Sequence, residues 1–164
     1  GAMGFALPGA VGAALASGRR VVVGEGDGSF QLNVQELATI RRLELPIKVF
    51  VLNNGGYASI RASPRRWFQG RTVGADEASG LWLPSIRKVA DAYGIACGWI
   101  DNQELLTPSR VQYILGCDGP LICEVLMEPD EVRQPCVTVT ANPDGTMSSG
   151  KLEEMWPPLE GGDK

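Results

Sequence analysis

Short apolar runs alternate along this chain with longer segments in which apolar residues recur at helical spacing. The runs are Val21–Val23, Ile47–Leu52, Ile95–Ile100 and Leu121–Met127. Runs that are apolar on both faces and separated by helices are typical of strands in a parallel sheet. The pattern therefore predicts an α/β fold, with a parallel sheet flanked by helices.

Four helices are predicted between and around these strands. They cover Val11–Ser17, Asn33–Arg42, Pro84–Gly94 and Leu105–Leu115. A proline at the start and a glycine at the end mark the third of them most clearly. After the second strand, Ala58–Ala62 predicts a short helix, and residues 63–80 predict a long surface excursion rich in glycine and arginine.

The composition changes near Glu128, which predicts a domain boundary. Residues 1–128 contain all the predicted strands and helices, whereas residues 129–164 are rich in proline and end in an acidic, glycine-containing tail. The first segment is therefore interpreted as an α/β domain. The second is interpreted as an arm or linker without a core of its own.

Charge and composition exclude several classes of function. The 164 residues carry a net charge of −4 and no histidine, which argues against nucleic acid or an anionic membrane as partner and excludes catalysis by a histidine triad. Four cysteines without a CxxC pair disfavour a zinc site and favour a reduced, cytoplasmic location. The apolar stretch Phe5–Ala16 is too short to span a bilayer and follows no basic segment.

Two polar, glycine-rich turns follow the first two strands and offer oxygen ligands. Gly24–Phe30 contains the carboxylate of Asp27, and Asn53–Tyr57 contains the carboxamide of Asn54 and the backbone carbonyl of Gly56. Such ligands suit Mg²⁺, and the free N–H groups of a helix that begins near Ser29 suit an anion. A metal-bound phosphate is therefore predicted, although each turn taken alone is also explained as an ordinary strand-ending turn.

The spacing of the two turns resembles a known motif. Gly26-Asp27-Gly28, followed after twenty-four residues by Asn53-Asn54, is similar to the thiamin-diphosphate-binding motif. Residues 1–8 resemble the segment before that motif, and residues 28–31 and 35–37 are also similar to the same branch. The chain thus resembles the C-terminal, pyrophosphate-binding domain of thiamin-diphosphate-dependent enzymes, in the branch of acetolactate synthase and benzoylformate decarboxylase.

This resemblance implies thiamin diphosphate and Mg²⁺ as cofactors. The implied metal ligands are Asp27, Asn54 and Gly56. The implied cofactor-binding residues are Gly1, Met3, Gly26, Gly28 and Ser29. In the family the residue matching Met3 supports the bent form of the cofactor, the Gly1 carbonyl accepts a hydrogen bond from its 4′-amino group, and Gly28 and Ser29 bind the diphosphate.

The resemblance also implies groups that this sequence does not contain. The activating glutamate of the family lies on a pyrimidine-binding domain of the same or a neighbouring subunit, so no catalytic residue is assigned here. The chain is expected to be truncated at its N-terminus relative to the family, to be inactive and to bind the cofactor weakly when isolated. In the family context it is expected to belong to a homo-oligomer.

The predicted function is therefore cofactor binding within a carboligase or decarboxylase that acts on 2-oxo acids. Two alternatives stay open: a non-catalytic module or fragment that serves as an interaction domain, and a plain phosphate-binding domain. Ile60 stands where pyruvate-decarboxylase-type members have a glutamate, which argues against that subgroup. Four residues either line a pocket for an anionic substrate or form a solvated basic loop: Arg61, Arg65, Arg66 and Trp67.

Overall fold

The computed structural model describes residues 2–67, 70–131 and 134–158, with the side chains of residues 63–67 excepted. It divides into two compact units, residues 1–130 and 131–164. The first unit is built on four strands: β1 (Val21–Gly26), β2 (Ile47–Asn53), β3 (Ala96–Ile100) and β4 (Leu121–Leu126). They lie in the order β1-β2-β4-β3 and all three pairings are parallel. The predicted parallel α/β sheet is confirmed.

The register of the sheet brings the ends of three strands together. Gly26 at the end of β1 pairs with Leu52 of β2, and Asn53 at the end of β2 pairs with Leu126 of β4. Because all strands run in the same direction, the turns that follow them emerge at one edge of the sheet. This edge carries both glycine-rich turns.

Six α-helices accompany the sheet in the described residues. They are α1 (Ala6–Ser17), α2 (Asp27–Leu32), α3 (Glu36–Arg42), α4 (Ala58–Trp67), α5 (Ile86–Ala92) and α6 (Pro108–Gly116). The Ser85 hydroxyl caps α5 by accepting the N–H of Lys88, and the Thr107 hydroxyl caps α6 by accepting that of Arg110. Helix α1 ends at Gly18, which has the left-handed conformation that favours glycine.

The helix bounds differ from the predicted ones: α1 begins at Ala6 instead of Val11, and α6 begins at Pro108 instead of Leu105. The helices next to the two glycine-rich turns differ as well. The segment predicted as one helix over Asn33–Arg42 is helical only from Glu36, because Asn33 has φ −134° and its side chain donates to the Gly4 carbonyl at 2.7 Å. The helix predicted over Ala58–Ala62 continues to Trp67, which shortens the predicted surface excursion.

Apolar side chains fill both faces of the sheet. One face packs against α1, α3 and α5 through a cluster of buried residues: Leu7, Ala14, Leu37, Ile47, Val49, Ala90 and Ile122. The other face packs against α6 through a smaller cluster that contains Ile100, Ile114, Leu121 and Cys123. Val22 of β1 is 56% exposed, so the expectation that every strand is buried on both faces is wrong for β1, which is an edge strand of the described sheet.

The second unit consists of two short antiparallel pairs. β5 (Cys136–Val137) pairs with β8 (Met155–Trp156), and β6 (Val139–Ala141) pairs with β7 (Met147–Ser149) around a turn. The four cysteines are free thiols. Within the described residues no helix is both long enough and apolar enough to cross a membrane.

Candidate functional site

Asp27 lies at the junction of β1 and α2 and is almost completely buried, at 2% exposure. Its Oδ1 accepts the N–H of Gly28 and its Oδ2 accepts the N–H of Gly56, both at 2.8 Å. Burial raises the pKa of this carboxyl above its ordinary value, and the N–H groups of Gly56, Gly28 and Gly55 and the charge of Arg61 act in the opposite direction. The second hydrogen bond joins the two glycine-rich turns directly.

The turn after β2 holds the other predicted metal ligands. The Oδ1 atom of Asn54 is buried and has no hydrogen-bond partner among the described residues. Gly56 is buried with φ +129°, and a Cβ added there would lie 2.3 Å from the Ala75 carbonyl oxygen. Only glycine fits this position, so the close packing of residue 75 on the turn depends on it.

Arg61 of α4 holds this turn in place through hydrogen bonds to backbone carbonyls. Its side chain is 2% exposed and its guanidinium donates to the carbonyls of Asn54 at 2.9 Å and Pro129 at 2.7 Å. Longer hydrogen bonds reach the carbonyls of Gly55 at 3.2 Å and Ala75 at 3.4 Å. Arg61 is therefore neither a substrate-facing residue nor part of a solvated loop. The side chains of Arg65, Arg66 and Trp67 lie outside the described part of the chain.

Ser29 connects the N-terminal segment to the site. Its hydroxyl donates to Oε1 of the buried Glu25 at 2.6 Å and accepts the N–H of Gly4 at 2.7 Å. Both hydrogen-bonding functions of the hydroxyl are thus used within the protein. Met3, which precedes Gly4, is 45% exposed, so its side chain remains accessible next to the site.

Gly28 is held by its neighbours as well. Its N–H donates to Asp27, and a Cβ added at Gly28 would lie 2.4 Å from Cε1 of Tyr57. The glycine is therefore required by the packing of Tyr57. At Gly26, by contrast, an added Cβ would meet nothing within 4 Å. The predicted contacts of Gly26, Gly28 and Ser29 with the cofactor stay predictions, and Gly1 lies outside the described residues.

A cavity of about 260 Å³ opens beside the two turns. Asp27, Asn53 and Gly55 line it from the strand ends, and Glu77 and residues 81–86 line it from the opposite side. Nothing in the sequence indicated that residues 81–86 would line this cavity, because they contain no motif. Asp27 thus lines the same cavity as Asn53 and Gly55 of the second turn, and the assignment of Asp27, Asn54 and Gly56 as metal ligands stays a prediction.

Comparisons with known proteins identify the family. The model of the family described as "Thiamine pyrophosphate enzyme, C-terminal TPP binding domain" matches residues 1–125; thiamine pyrophosphate is thiamin diphosphate. The chain belongs to this family. The large subunit of acetolactate synthase isozyme 2 from Escherichia coli K12 is 35% identical over 156 residues, covering 94% of this chain and 27% of that protein.

Other relatives of this thiamin-diphosphate-binding domain agree. The acetolactate synthase large subunit of Cyanidium caldarium is 32% identical over 138 residues, or 84% of this chain and 23% of that protein. Among solved structures, the thiamine diphosphate-dependent 4-hydroxybenzoylformate decarboxylase of Rhodococcus jostii RHA1 matches with a TM-score of 0.68 and 32% identity, covering 79% of this chain and 24% of that one. The chain spans about a quarter of the length of these relatives.

The residues of the two glycine-rich turns fit a magnesium ion that binds a diphosphate. Asp27 and Asn54 supply two side-chain oxygens, and the Asn54 oxygen is a buried acceptor without a partner among the described residues. Most buried polar atoms in proteins are hydrogen-bonded, and Oε2 of Glu25 and Nε2 of Gln31 are the other buried side-chain atoms without a partner among the described residues. Oxygen donors are also the ligands that Mg²⁺ prefers. The donor set is thus consistent with the cofactor of the family.

Proposed function

We propose that this chain binds thiamin diphosphate through Mg²⁺, as part of an acetolactate-synthase-like carboligase or decarboxylase that acts on 2-oxo acids. The metal ligands would be the side-chain oxygens of Asp27 and Asn54 and the carbonyl of Gly56. When bound, thiamin diphosphate supplies a nucleophilic carbon and an electron sink for decarboxylation. The residues of this chain would bind and orient its diphosphate end.

The observation that carries this proposal is the unpaired Oδ1 of Asn54 on the turn that is hydrogen-bonded to Asp27. An unsatisfied buried acceptor destabilises a fold by about 1–3 kcal/mol. A metal ion would satisfy this oxygen and would also stabilise the buried carboxylate of Asp27. Asn54 would thus gain a partner that its oxygen lacks among the described residues, and Asp27 would gain a positive charge beside its buried carboxylate.

The remaining parts of the proposal rest on the family and on the named relatives. A pyrimidine-binding domain, of the same or a neighbouring subunit, would complete the cofactor site and supply the activating glutamate. Assembly as a homo-oligomer follows from that arrangement. The cytoplasmic location inferred from the cysteines stays a prediction.

Isothermal titration calorimetry with thiamin diphosphate, with and without Mg²⁺, tests the proposal. The wild-type chain is expected to bind only with Mg²⁺, and Asn54→Ala is expected to lose that binding. Because Asn54→Ala removes an unsatisfied buried acceptor that costs about 1–3 kcal/mol, we expect its free energy of unfolding to be no lower than that of the wild type. Asp27→Ala should also abolish binding, but with a loss of stability from the two orphaned N–H groups.

Asp91→Ala is the matched control, since Asp91 is an exposed carboxylate on α5, and it should bind like the wild type. Binding of equal strength without Mg²⁺ would refute the metal assignment. Absence of any binding by the wild type at millimolar cofactor would refute the proposed function of the domain. Supplying a pyrimidine-binding domain and measuring release of carbon dioxide would then separate a catalytic domain from a non-catalytic module.

A further inference from the structure

The side chain of Asn53 shapes the turn that carries Asn54 and Gly56. Its Oδ1 accepts the N–H of Gly55 at 3.2 Å, inside the turn, and its Nδ2 donates to Oε1 of Glu124 at 2.8 Å. The amide can hold the turn in this way only if its oxygen faces Gly55. Rotation of the amide by 180° would place its NH₂ group against the N–H of Gly55.

Glu124 fixes which way the Asn53 amide points. It lies on β4, next to the end of β2, and is 7% exposed. An ionised carboxylate only accepts hydrogen bonds, so it can face only the NH₂ end of Asn53. The oxygen end of Asn53 must then face the turn. A carboxylate on one strand thus selects the side-chain orientation at the end of the neighbouring strand.

Arg87 of α5 forms an ion pair with Glu124 and holds its carboxylate in place. Its Nε donates to Oε2 of Glu124 at 3.2 Å, so the two carboxylate oxygens have different partners. The guanidinium also stacks 4.6 Å from the ring centroid of Trp99 on β3. Trp99 is held in turn by Arg110, which donates two N–H groups to its carbonyl.

We propose that Glu124 is a positioning residue for the metal-binding turn, and that Arg87 holds it in this role. Glu124 orients Asn53, Asn53 holds Gly55, and the adjacent Gly56 donates to Asp27 at 2.8 Å. Glu124 itself touches neither of the side chains assigned to the metal. The consequence for cofactor affinity rests on the proposed function, whereas the consequence for the conformation of the turn does not.

Lys48 offers a matched control for a purely structural role. It is a second buried charge on the same pair of strands, at the opposite end of β2, and its Nζ donates to the carbonyls of Cys117 and Gly119 at 2.6 Å each. Asn53 lies five positions further along the strand, which is roughly 17 Å. Lys48→Met should therefore destabilise the fold and leave the turn unchanged.

The experiment compares Glu124→Leu, Glu124→Gln and Lys48→Met with the wild type in two measurements. The first is the ¹⁵N–¹H NMR spectrum without cofactor, which follows the backbone amides of Gly55 and Gly56 and the side-chain amide of Asn53. The second is the Kd for thiamin diphosphate, titrated over a series of Mg²⁺ concentrations. Urea unfolding of each variant measures how much stability it has lost.

Glu124→Leu is expected to shift or broaden the three NMR signals and to weaken Mg²⁺-dependent binding by about 10–100-fold, as is typical when a group that orients metal ligands is removed. Glu124→Gln keeps an acceptor for Asn53 but not the charge for Arg87. Glu124→Gln should therefore alter the three NMR signals less than Glu124→Leu does, and weaken binding by about tenfold or less. Lys48→Met should leave the three signals unchanged and keep the Kd within about twofold of the wild type, as expected for distant sites.

The proposal is overturned if Glu124→Leu alters the NMR signals and the Kd no more than Lys48→Met does. Should Glu124→Leu fail to fold, Glu124→Gln decides: a wild-type spectrum and Kd overturn the proposal, and a partial change supports it. If the wild type itself shows no Mg²⁺-dependent binding, the proposed function fails. Shifted Gly55 and Gly56 signals in the Glu124 variants would still support the positioning of the turn.

Discussion

Replacing Arg61 by methionine tests whether a buried guanidinium holds the metal-binding turn to the rest of the domain. Methionine keeps much of the apolar length of the side chain but none of its donors. The substitution deprives the carbonyls of Asn54 and Pro129 of hydrogen bonds of 2.9 and 2.7 Å. Asn54 and Pro129 lie outside the strands and helices, so no backbone N–H of such an element replaces the lost donor.

The expected loss follows mainly from these two contacts, because the hydrogen bond to the Gly55 carbonyl, at 3.2 Å, and the ion pair with Asp76, at 3.8 Å, are longer. A hydrogen bond to a charged group contributes about 1.5–3 kcal/mol, which gives about 3–6 kcal/mol for the pair. The 3.4 Å contact with Ala75 adds little, because that carbonyl also accepts the N–H of Tyr57 at 2.8 Å. Removing the buried charge also removes its desolvation cost, which offsets part of this loss of stability. We therefore expect Arg61→Met to lower the free energy of unfolding by about 3–4 kcal/mol.

Urea unfolding, followed by circular dichroism at equilibrium, measures this loss. Arg42→Met is the control, since Arg42 is exposed at the end of α3 and should change the free energy of unfolding by less than about 0.5 kcal/mol. Arg61→Lys keeps a positive charge with three donors and should lose an intermediate amount. A loss below about 1 kcal/mol in Arg61→Met would contradict the bracing role.

Two further predictions concern the same fold. Gly56→Ala is expected to abolish Mg²⁺-dependent cofactor binding, because its Cβ would lie 2.3 Å from the Ala75 oxygen. In the control variant Gly55→Ala the Cβ meets nothing within 4 Å, so only the positive φ of residue 55 should destabilise it. Equal calorimetric titrations of the two variants would contradict this prediction. Burial raises the pKa of Cys123 from 9.0 to about 11, so its contribution to stability is present below pH 9 and is lost between pH 9 and about 11. The decline amounts to about 2–3 kcal/mol, and Cys123→Ala should remove it from unfolding curves measured across that range.

The sheet and the approach of the two glycine-rich turns to each other could be predicted from the sequence because both follow from local patterns. Apolar runs of strand length give the order of the elements along the chain, and parallel strands bring their carboxyl ends to one edge. Asp27 comes directly after β1 and Asn54 directly after β2. The hydrogen bond between the two turns therefore needed only the assumption that the first two strands lie side by side, which the structure confirms.

The bracing residues could not be predicted, because their partners lie far away in the sequence. Arg61 binds the Pro129 carbonyl across 68 positions, and Asn53 binds Glu124 across 71. The second contact exists because β4 lies next to β2. Hydrophobic pattern does not determine that order. The exposure of Val22 has the same origin, since a pattern cannot show which strand lies at an edge.

Lys48 and Glu124 show that the position of a buried charge along its strand helps to predict its role. Each is a charged residue within an apolar run, and each is buried on one of the two central strands. Lys48 lies near the amino end of its strand and binds carbonyls of the loop before β4, whereas Glu124 acts on a side chain at the carboxyl edge. Ligands of parallel α/β sheets bind at the carboxyl edge. A buried charge that points towards that edge is therefore expected to affect both stability and binding, and one at the opposite edge to affect stability alone.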